Sequence, residues 1–575
     1  MKYIQMKRVK LLALSCIVCL TGYGQVELNQ LGFYSGAPKK AAVIAAPNVK
    51  AFKIVTEAGE EVYKGVLSEP MASKNSSLTV CLADFTNFTV PGKYRLVAGE
   101  QTSGIFTIGD RVFEDVSKAV LKGFYYQRVS EPLDAKHAGK WARPAGHPDT
   151  HVEVHPSAAS LQRPAGTIIG SPGGWYDAGD YNKYIVNSGI TTATLLSAYE
   201  DFPQYYRQLT INIPETGNGV PDLLNEILCN LRWMLTMQDP NDGGVYHKCT
   251  NASFDGMDKM PGETKDTRYV VQKGTAAALN FTAVMAQASR IFRRYSEQLP
   301  GLADSCLLAA KHSWNWALQH PDVLYRQEVI NREHKPPVVT GAYGDSRLDD
   351  EWFWAATEMY ATTLEAHYKA KAKEYLTDEW KVPNWGQVYM LGVYTMLRIK
   401  DADFTPAFSK KLLEMADHFV ASISTNAFGV VMGQNRSDFV WGSNSEAANQ
   451  GILLIQAYRL TNDKKYLNAA LANVDYLLGR NATGYCFVTD FGTKRVMNPH
   501  HRPSVADGIV DPVPGLLAGG PNPGMQDRCE YPFTEPETAF VDVMESYASN
   551  EIAINWNAPA VYLFNAIEAE QEKWK

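Results

Sequence analysis

Two clusters of carboxylates, far apart in the chain, carry the chemistry this sequence could do. The first is Asp177 and Asp180 in Gly173-Gly-Trp-Tyr-Asp177-Ala-Gly-Asp180-Tyr-Asn-Lys-Tyr184. Ala178-Gly179 between them lets the backbone turn tightly, so both carboxylates can face one point and hold one water molecule. The second is Glu551, in a segment otherwise aromatic, small and polar-neutral, Asn550-Glu551-Ile-Ala-Ile-Asn-Trp556-Asn-Ala558. Such surroundings desolvate a carboxyl and raise its pKa toward that of a general acid at neutral pH. A carboxylic acid and a carboxylate base with aromatic neighbours are the equipment for hydrolysing a glycosidic bond. Each motif also has an ordinary reading. Asp-Ala-Gly-Asp occurs as a solvated turn or in a calcium loop, and Glu545 competes with Glu551 on charge alone. The apolar, aromatic run after Glu551 favours the latter. Asp542 could orient or cap.

A third constellation is Gly492-Thr-Lys-Arg-Val-Met-Asn-Pro499-His500-His501-Arg502-Pro503. His500 and Arg502, held by flanking prolines, can point at one ligand, hydrogen-bond sugar hydroxyls and tune nearby carboxylates. A zinc pair or a plain surface loop are the alternatives, and adjacent histidines rarely ligate one ion.

The elements that must position these groups fall into two textures. From Gln25 to about Asp110, short β-prone runs are separated by turns such as Pro47-Asn48 and Pro91-Gly92, which predicts a small immunoglobulin-like β-sandwich. Residues 111–575 read as helices and long loops. Helical periodicity appears near 112–129, 187–203, 219–239, 273–296, 302–321, 349–363, 365–376, 386–399, 405–424, 443–461, 464–480 and 558–573, with no comparable strand set among them. A dozen helices fit a ring of hairpins, the all-α (α/α)6 barrel. The longest helix-poor stretches, 130–186 and 481–557, hold every acid and base candidate, as expected of functional loops on a rigid scaffold.

Residues 1–24 read as a secretory signal: Lys2, Lys7, Arg8 and Lys10, then the apolar run Leu11–Leu20, then Gly22-Tyr-Gly24. The apolar run is too short to span a bilayer, so no transmembrane anchor is expected. Cys16 and Cys19 allow a lipid anchor as the less favoured alternative. The expected location is the periplasm, the cell surface or the medium. The net charge of −7 argues against nucleic acid or anionic membrane as partner and suits a neutral polymer as substrate; a monomer is expected. The six cysteines beyond residue 24 are scattered without CxxC pairs, and at most one bridge is expected.

The motifs together resemble family 9 of the glycoside hydrolases. Gly492…Lys494…Pro499-His500-x-Arg502 resembles the family's first signature. Phe540-x-Asp542-x4-Tyr547-x3-Glu551-x-Ala553-x3-Asn557-Ala558 resembles its second at every defined position. Gly-Gly-Trp-Tyr-Asp177-Ala-Gly-Asp180-Tyr is similar to the family's Asp-Ala-Gly-Asp segment, and Val26-Glu-Leu-Asn-Gln-Leu-Gly-Phe33 to the immunoglobulin-like module of one branch. The resemblance implies inverting hydrolysis of internal β-1,4-glucan bonds, with Asp180 as base, Asp177 helping to hold the water, and Glu551 as acid. It also implies that His500, Arg502 and His247 bind sugar and that Trp441 stacks against it; Trp556 is a second aromatic candidate.

No cofactor is needed for that chemistry. Ser346-Arg-Leu-Asp349-Asp350-Glu351 resembles the family's calcium loop, so Ser346, Asp350 and Glu351 are the expected ligands, against the alternative of an acidic helix start. The zinc site of the immunoglobulin-bearing branch is expected to be absent, because its places read Val129, Gly146 and Tyr176 and only His147 remains. Exo-action on short β-glucans, xyloglucan or mixed-linkage glucan as substrate, and a non-catalytic glycan-binding role are the competing readings. The intact Asp177, Asp180 and Glu551 speak against the last.

Overall fold

A computed structural model describes residues 25–575 except Pro47; the signal reading of residues 1–24 lies outside them. The β-prone runs form two facing sheets. One runs in the order Val26–Glu27, Lys40–Ile44, Thr79–Asp84, Met71–Ala72; the other runs Gly32–Phe33, Phe106–Ile108, Gly92–Ala98, Ala51–Thr56, Glu61–Val66. Alternation decides what is buried: along Ala51–Thr56, Phe52 and Ile54 point inward while Ala51 and Lys53 face solvent. Phe33 meets Phe85 and Phe106 edge-on at centroid distances of 5.2 and 5.6 Å. The sandwich is pinned to the rest of the chain by Asn29, which donates to the buried Asp475 carboxylate at 2.8 Å, and by Tyr34, which stacks on Trp574.

Twelve helices of nine residues or more follow among the described residues: α1 (Glu114–Tyr126), α2 (Ile185–Asp201), α3 (Asp222–Thr236), α4 (Thr275–Phe292), α5 (Leu302–Gln319), α6 (Asp349–Thr363), α7 (Ala366–Glu374), α8 (Tyr389–Ile399), α9 (Thr405–Ser422), α10 (Ser443–Thr461), α11 (Lys464–Leu477) and α12 (Ile554–Ala569). They alternate in kind. Helix α2 buries every residue but Glu200, and α4 every residue but Arg290. Helix α9 buries only Phe408, Leu412 and Ala416, one stripe at four-residue spacing. A helix apolar all round must be surrounded, and a one-striped helix must lie outside. The even-numbered helices therefore form the inner ring, with α2 packed between α4 and α12 and α4 against α6, while the odd-numbered helices back them. The domain is of the (α/α)6 type.

Two expectations need correction. The helical domain does contain a sheet, a five-stranded one of very short strands in the order Ile168–Ile169, Val152–Val154, Arg268–Val270, Lys248–Asn251, Lys183–Tyr184. Strands of two to four residues leave too little alternation to read. The last helix begins at Ile554 rather than at 558, because Pro559 lies inside it rather than at its start. Among the described residues no helix is long and apolar enough to cross a membrane, and Cys81, Cys229, Cys249, Cys306, Cys486 and Cys529 are all free.

The helix pairing fixes where function can sit. The links from each outer to the next inner helix are residues 127–184, 237–274, 320–348, 375–388, 423–442 and 478–553, whereas three of the reverse links are only 364–365, 400–404 and 462–463. The long links all emerge at the N-terminal ends of the inner helices. They build one face of the ring.

Candidate active site

A cavity of about 520 Å³ opens on that face, and every one of the six long links, with the first turns of α10 and α12, lines it. Asp177 and Asp180 come from the first link, Phe254 from the second, Tyr343 from the third, Trp385 from the fourth, Trp441 from the fifth and Glu551 from the sixth. Trp556 and Glu446 complete the wall from the starts of α12 and α10.

Backbone pairing brings the two carboxylate clusters together. Ala178 bridges Ala553, His500 bridges Glu551, and the Ile554 N–H donates to the Asp177 carbonyl at 2.8 Å. Gly179 is required by proximity: a Cβ there would lie 2.1 Å from the His500 carbonyl oxygen. Arg502 closes the same contact. Its N–H and Nη1 both donate to the Gly179 carbonyl, at 3.2 and 2.7 Å, and its Nε to the Asp255 carbonyl at 2.9 Å.

The three carboxyl groups differ in their surroundings. Both oxygens of Asp177 are held, Oδ1 by Asn187 at 2.5 Å and Oδ2 by the Tyr343 hydroxyl at 2.7 Å. Burial and the neighbouring Asp180 carboxylate push Asp177 upward. Tyr343 reaches it from a left-handed backbone (φ +43°), a conformation that costs a non-glycine residue about 1–2 kcal/mol, with its ring against Tyr184 and Trp385. On Asp180 both donors converge on Oδ2: Asn182 at 2.6 Å and the Tyr184 hydroxyl at 3.0 Å. Oδ1 takes no hydrogen bond from the described residues and is not sealed from solvent. Glu551 lies half-buried in the wall. Burial, then the Asp180 and Asp177 carboxylates, hold its pKa well above the ordinary glutamate value, with Arg502 and the Gly179 N–H opposing. The site thus pairs a glutamate that holds its proton more tightly than usual with an aspartate oxygen that has no hydrogen-bond partner among the described residues. Glu446, on the far wall, is pushed up to about 8 by burial and by Asp438.

Several expected residues lie elsewhere. His247 is sealed behind the wall, stacked on Tyr325 at 3.9 Å, with Nε2 on the Ala342 carbonyl at 2.7 Å. Burial drops its pKa to about 3, so it is a neutral support for the 341–343 segment rather than a sugar contact. Asp542 does not line the cavity either. Its carboxylate accepts from the Met497 and Asn498 N–H groups at 2.8 and 2.9 Å and from Asn550 at 3.0 Å, tying the 492–503 loop to the segment that carries Glu551. His500 and Arg502 are likewise not wall residues; His500 places Nδ1 on the Met544 carbonyl at 2.6 Å. Trp441 is 43% exposed on the cavity rim, tilted against Tyr547, and Trp556 packs with Ala178 and Ala553 beneath. Tyr343, Asn187, Trp385 and Glu446 were missed; they sit in links or helix starts where no spacing rule singles them out.

At the expected calcium loop, Ser346 is exposed, while Asp345, not anticipated, turns Oδ2 inward without a partner. Both Glu351 oxygens are buried and unpartnered, and burial with Asp350 and Asp345 drives its pKa well up. Among the described residues, no three His, Cys, Asp or Glu side chains group as a metal centre. At the zinc places, Val129 packs with Tyr176 and Tyr181, His147 bonds the Tyr176 hydroxyl at 2.8 Å, and a Cβ on Gly146 would lie 2.4 Å from Pro261.

Comparison with known proteins decides the family. Residues 113–564 match the model of glycosyl hydrolase family 9, and residues 22–103 that of the cellulase N-terminal Ig-like domain. The chain belongs to glycosyl hydrolase family 9. It is 46% identical over 552 residues to a xyloglucan-specific endo-β-1,4-glucanase of Bacteroides ovatus, covering 95% of this chain and 94% of that one. It is 34% identical to endoglucanase D of Acetivibrio thermocellus, covering 94% of this chain and 82% of the relative. A solved Bacteroides ovatus family 9 structure superposes with a TM-score of 0.90 at 45% identity, covering 95% and 99% of the two chains. This family 9 protein is a glycoside hydrolase of the endo-1,4-β-glucanase type, and its chemistry uses no cofactor.

Proposed function

We propose that this hydrolase cleaves internal β-1,4 bonds of a xyloglucan-type β-glucan by a single inverting displacement. Glu551 protonates the leaving glycosidic oxygen, and Asp180, through its free Oδ1, takes the proton of the attacking water. Asp177, held at both oxygens, orients that water. The observation that carries this reading is the convergence on one cavity of a proton-retaining Glu551 and an Asp180 whose second oxygen has no protein partner. Inversion requires carboxyl groups about 6.5–9.5 Å apart, with water on the face opposite the leaving group. Trp441 at the rim and Trp385 and Trp556 in the wall offer faces for sugar rings.

The similarity to a xyloglucan-specific enzyme supports a branched substrate over bare cellulose. Viscometry and product sizing on xyloglucan, carboxymethylcellulose and cello-oligosaccharides test this. A rapid viscosity fall, fastest on xyloglucan, is expected; release of terminal units without viscosity loss would refute endo-action.

Calcium fits the Asp345–Glu351 loop, where buried carboxylate oxygens without donors suit a hard cation. Asp345 and Glu351 would turn side-chain oxygens toward it, with Ser346 left outside, and its contribution would be to link that loop to α6 and to the 384–388 turn, where Val388 N–H meets Asp350 at 2.7 Å. Export directed by residues 1–24 and a monomeric state complete the reading.

A further inference from the structure

Lys248 stands beside His247 in the short internal sheet, fully buried, with no carboxylate within ion-pairing distance among the described residues. Three oxygens lie within 3.0 Å of its ammonium instead, Gln327 Oε1 at 2.7 Å, Gly341 O at 2.7 Å and Thr340 Oγ1 at 3.0 Å, with the Thr340 carbonyl farther off at 3.4 Å. Three acceptors match the three N–H donors of an ammonium, whereas a neutral amine has two. The rings of Tyr184 and Tyr325 cover it at 5.5 and 5.6 Å. A buried cation without a counterion is costly, so the direction in which its hydrogen bonds lead is informative.

They lead along two chains to one atom. In the first, Thr340 Oγ1 pairs with Thr250 Oγ1 at 2.6 Å, Thr250 reaches Asn182 Oδ1 at 3.0 Å, and Asn182 Nδ2 donates to Asp180 Oδ2 at 2.6 Å. With Thr340 accepting from Lys248, its hydroxyl can donate to Thr250, whose single proton is shared between Asn182 Oδ1 at 3.0 Å and the Asn251 carbonyl at 2.8 Å. In the second, the Thr340–Gly341 peptide faces Lys248 with its carbonyl at 3.4 Å and gives its N–H to the Tyr184 oxygen at 3.1 Å; Tyr184 donates to Asp180 Oδ2 at 3.0 Å. Aligned chains of this kind polarise each bond along them.

We propose that Lys248 is the positioning cation of the hydrolysis: through Thr340–Thr250–Asn182 and Gly341–Tyr184 it fixes and polarises Oδ2 of Asp180, leaving Oδ1 presented to water. This rests on Asp180 acting as the base. Burial lowers the Lys248 pKa to about 7 and the Asp180 charge opposes that fall, so the positioning charge is present in the pH range below that value. The other buried cations nearby, Lys183 and Arg268, are paired with Asp149 at 2.7 and 3.0 Å; Arg268 also reaches Asn182 Oδ1, at 3.4 Å, and Asp177 and Glu551 are the carboxyls facing Asp180.

The test compares Lys248→Met, Thr340→Val, Thr340→Ser and Asp180→Asn in the full-length enzyme, with circular dichroism as the folding check and kcat/KM on xyloglucan oligosaccharides followed against pH. Lys248→Met is expected to lower kcat tenfold or more with KM little changed. It should also move the acidic limb of the profile up by about one pH unit, the shift that loss of one nearby charge produces. Thr340→Val should move the limb the same way and Thr340→Ser should return it. A limb that stays in place in folded Lys248→Met, or Thr340→Ser no better than Thr340→Val, overturns the proposal. If Lys248→Met does not fold, the Thr340 pair decides. An active Asp180→Asn would instead remove the base assignment, whereas an inactive Asp180→Asn with unmoved limbs removes only the role of Lys248.

Discussion

Replacing Gly179 by alanine tests whether the Asp177–Asp180 turn and the Glu551 segment are held in register by close backbone approach. The new Cβ would stand 2.1 Å from the His500 carbonyl oxygen and 2.9 Å from its carbon. Relief requires the Asp177–Asp180 turn and the 498–502 segment to separate by about 1 Å, which strains or breaks the two hydrogen bonds that Arg502 makes to the Gly179 carbonyl. A 1 Å misplacement of reacting groups costs about 10²-fold in rate, equivalent to about 2.7 kcal/mol of barrier. The expected result is kcat about a hundredfold lower on cello- or xyloglucan oligosaccharides, with KM changed far less because Trp385, Trp441 and Trp556 stay in place. Gly170→Ala is the control, since nothing lies within 4 Å of a Cβ there; it should behave as wild type. A Gly179→Ala enzyme within twofold of wild-type kcat would refute the register argument.

Other outcomes follow from the same geometry. Glu551→Gln should lower kcat by about 10²–10⁴, the usual worth of a positioned acid, with a smaller loss on substrates whose leaving group needs no proton; equal losses on both would contradict the acid role. Because the folded state holds the Glu551 proton where an unfolded glutamate, near 4.5, has released it, this contribution to stability is complete below that value and is lost as pH rises toward the folded pKa. Wild type should therefore lose Tm relative to Glu551→Gln as pH rises above 4.5, and parallel Tm curves would count against the raised pKa. Trp441→Ala should raise KM for long substrates by roughly tenfold, the effect of losing about 1.4 kcal/mol of aromatic contact, and leave kcat in place; an unchanged KM removes Trp441 from substrate contact. Chelation of calcium should lower the Tm of wild type but not of Glu351→Gln, and calorimetric titration showing no binding would exclude the ion.

What the sequence made legible follows from periodicity. Helices buried all round and helices with one apolar stripe differ visibly in composition, so the helix series and its number could be read from spacing. The carboxyls of Asp177, Asp180 and Glu551 stood out because their neighbours are small or aromatic, and the same feature explains their burial. Spacing carries no such mark for Tyr343 or Lys248. Their roles depend on where a long link folds back, with Tyr343 reaching 166 positions along the chain to Asp177. His247 was misjudged for a related reason: it lies just before a strand of only four residues, too short for the sequence to reveal which side chains look into the cavity. Asp345 was overlooked and Ser346 favoured because the tilt of a loop, not the order of its residues, decides which oxygen turns inward.

Early-time proton NMR of the products from a defined oligosaccharide most directly tests the opposed acid and base at the centre of the account. A water molecule activated by Asp180 on the face opposite the departing oxygen must deliver the α-anomer first, with the β-anomer appearing only by mutarotation. Initial release of the β-anomer would require a covalent intermediate, and the arrangement proposed for Glu551 and Asp180 would be wrong.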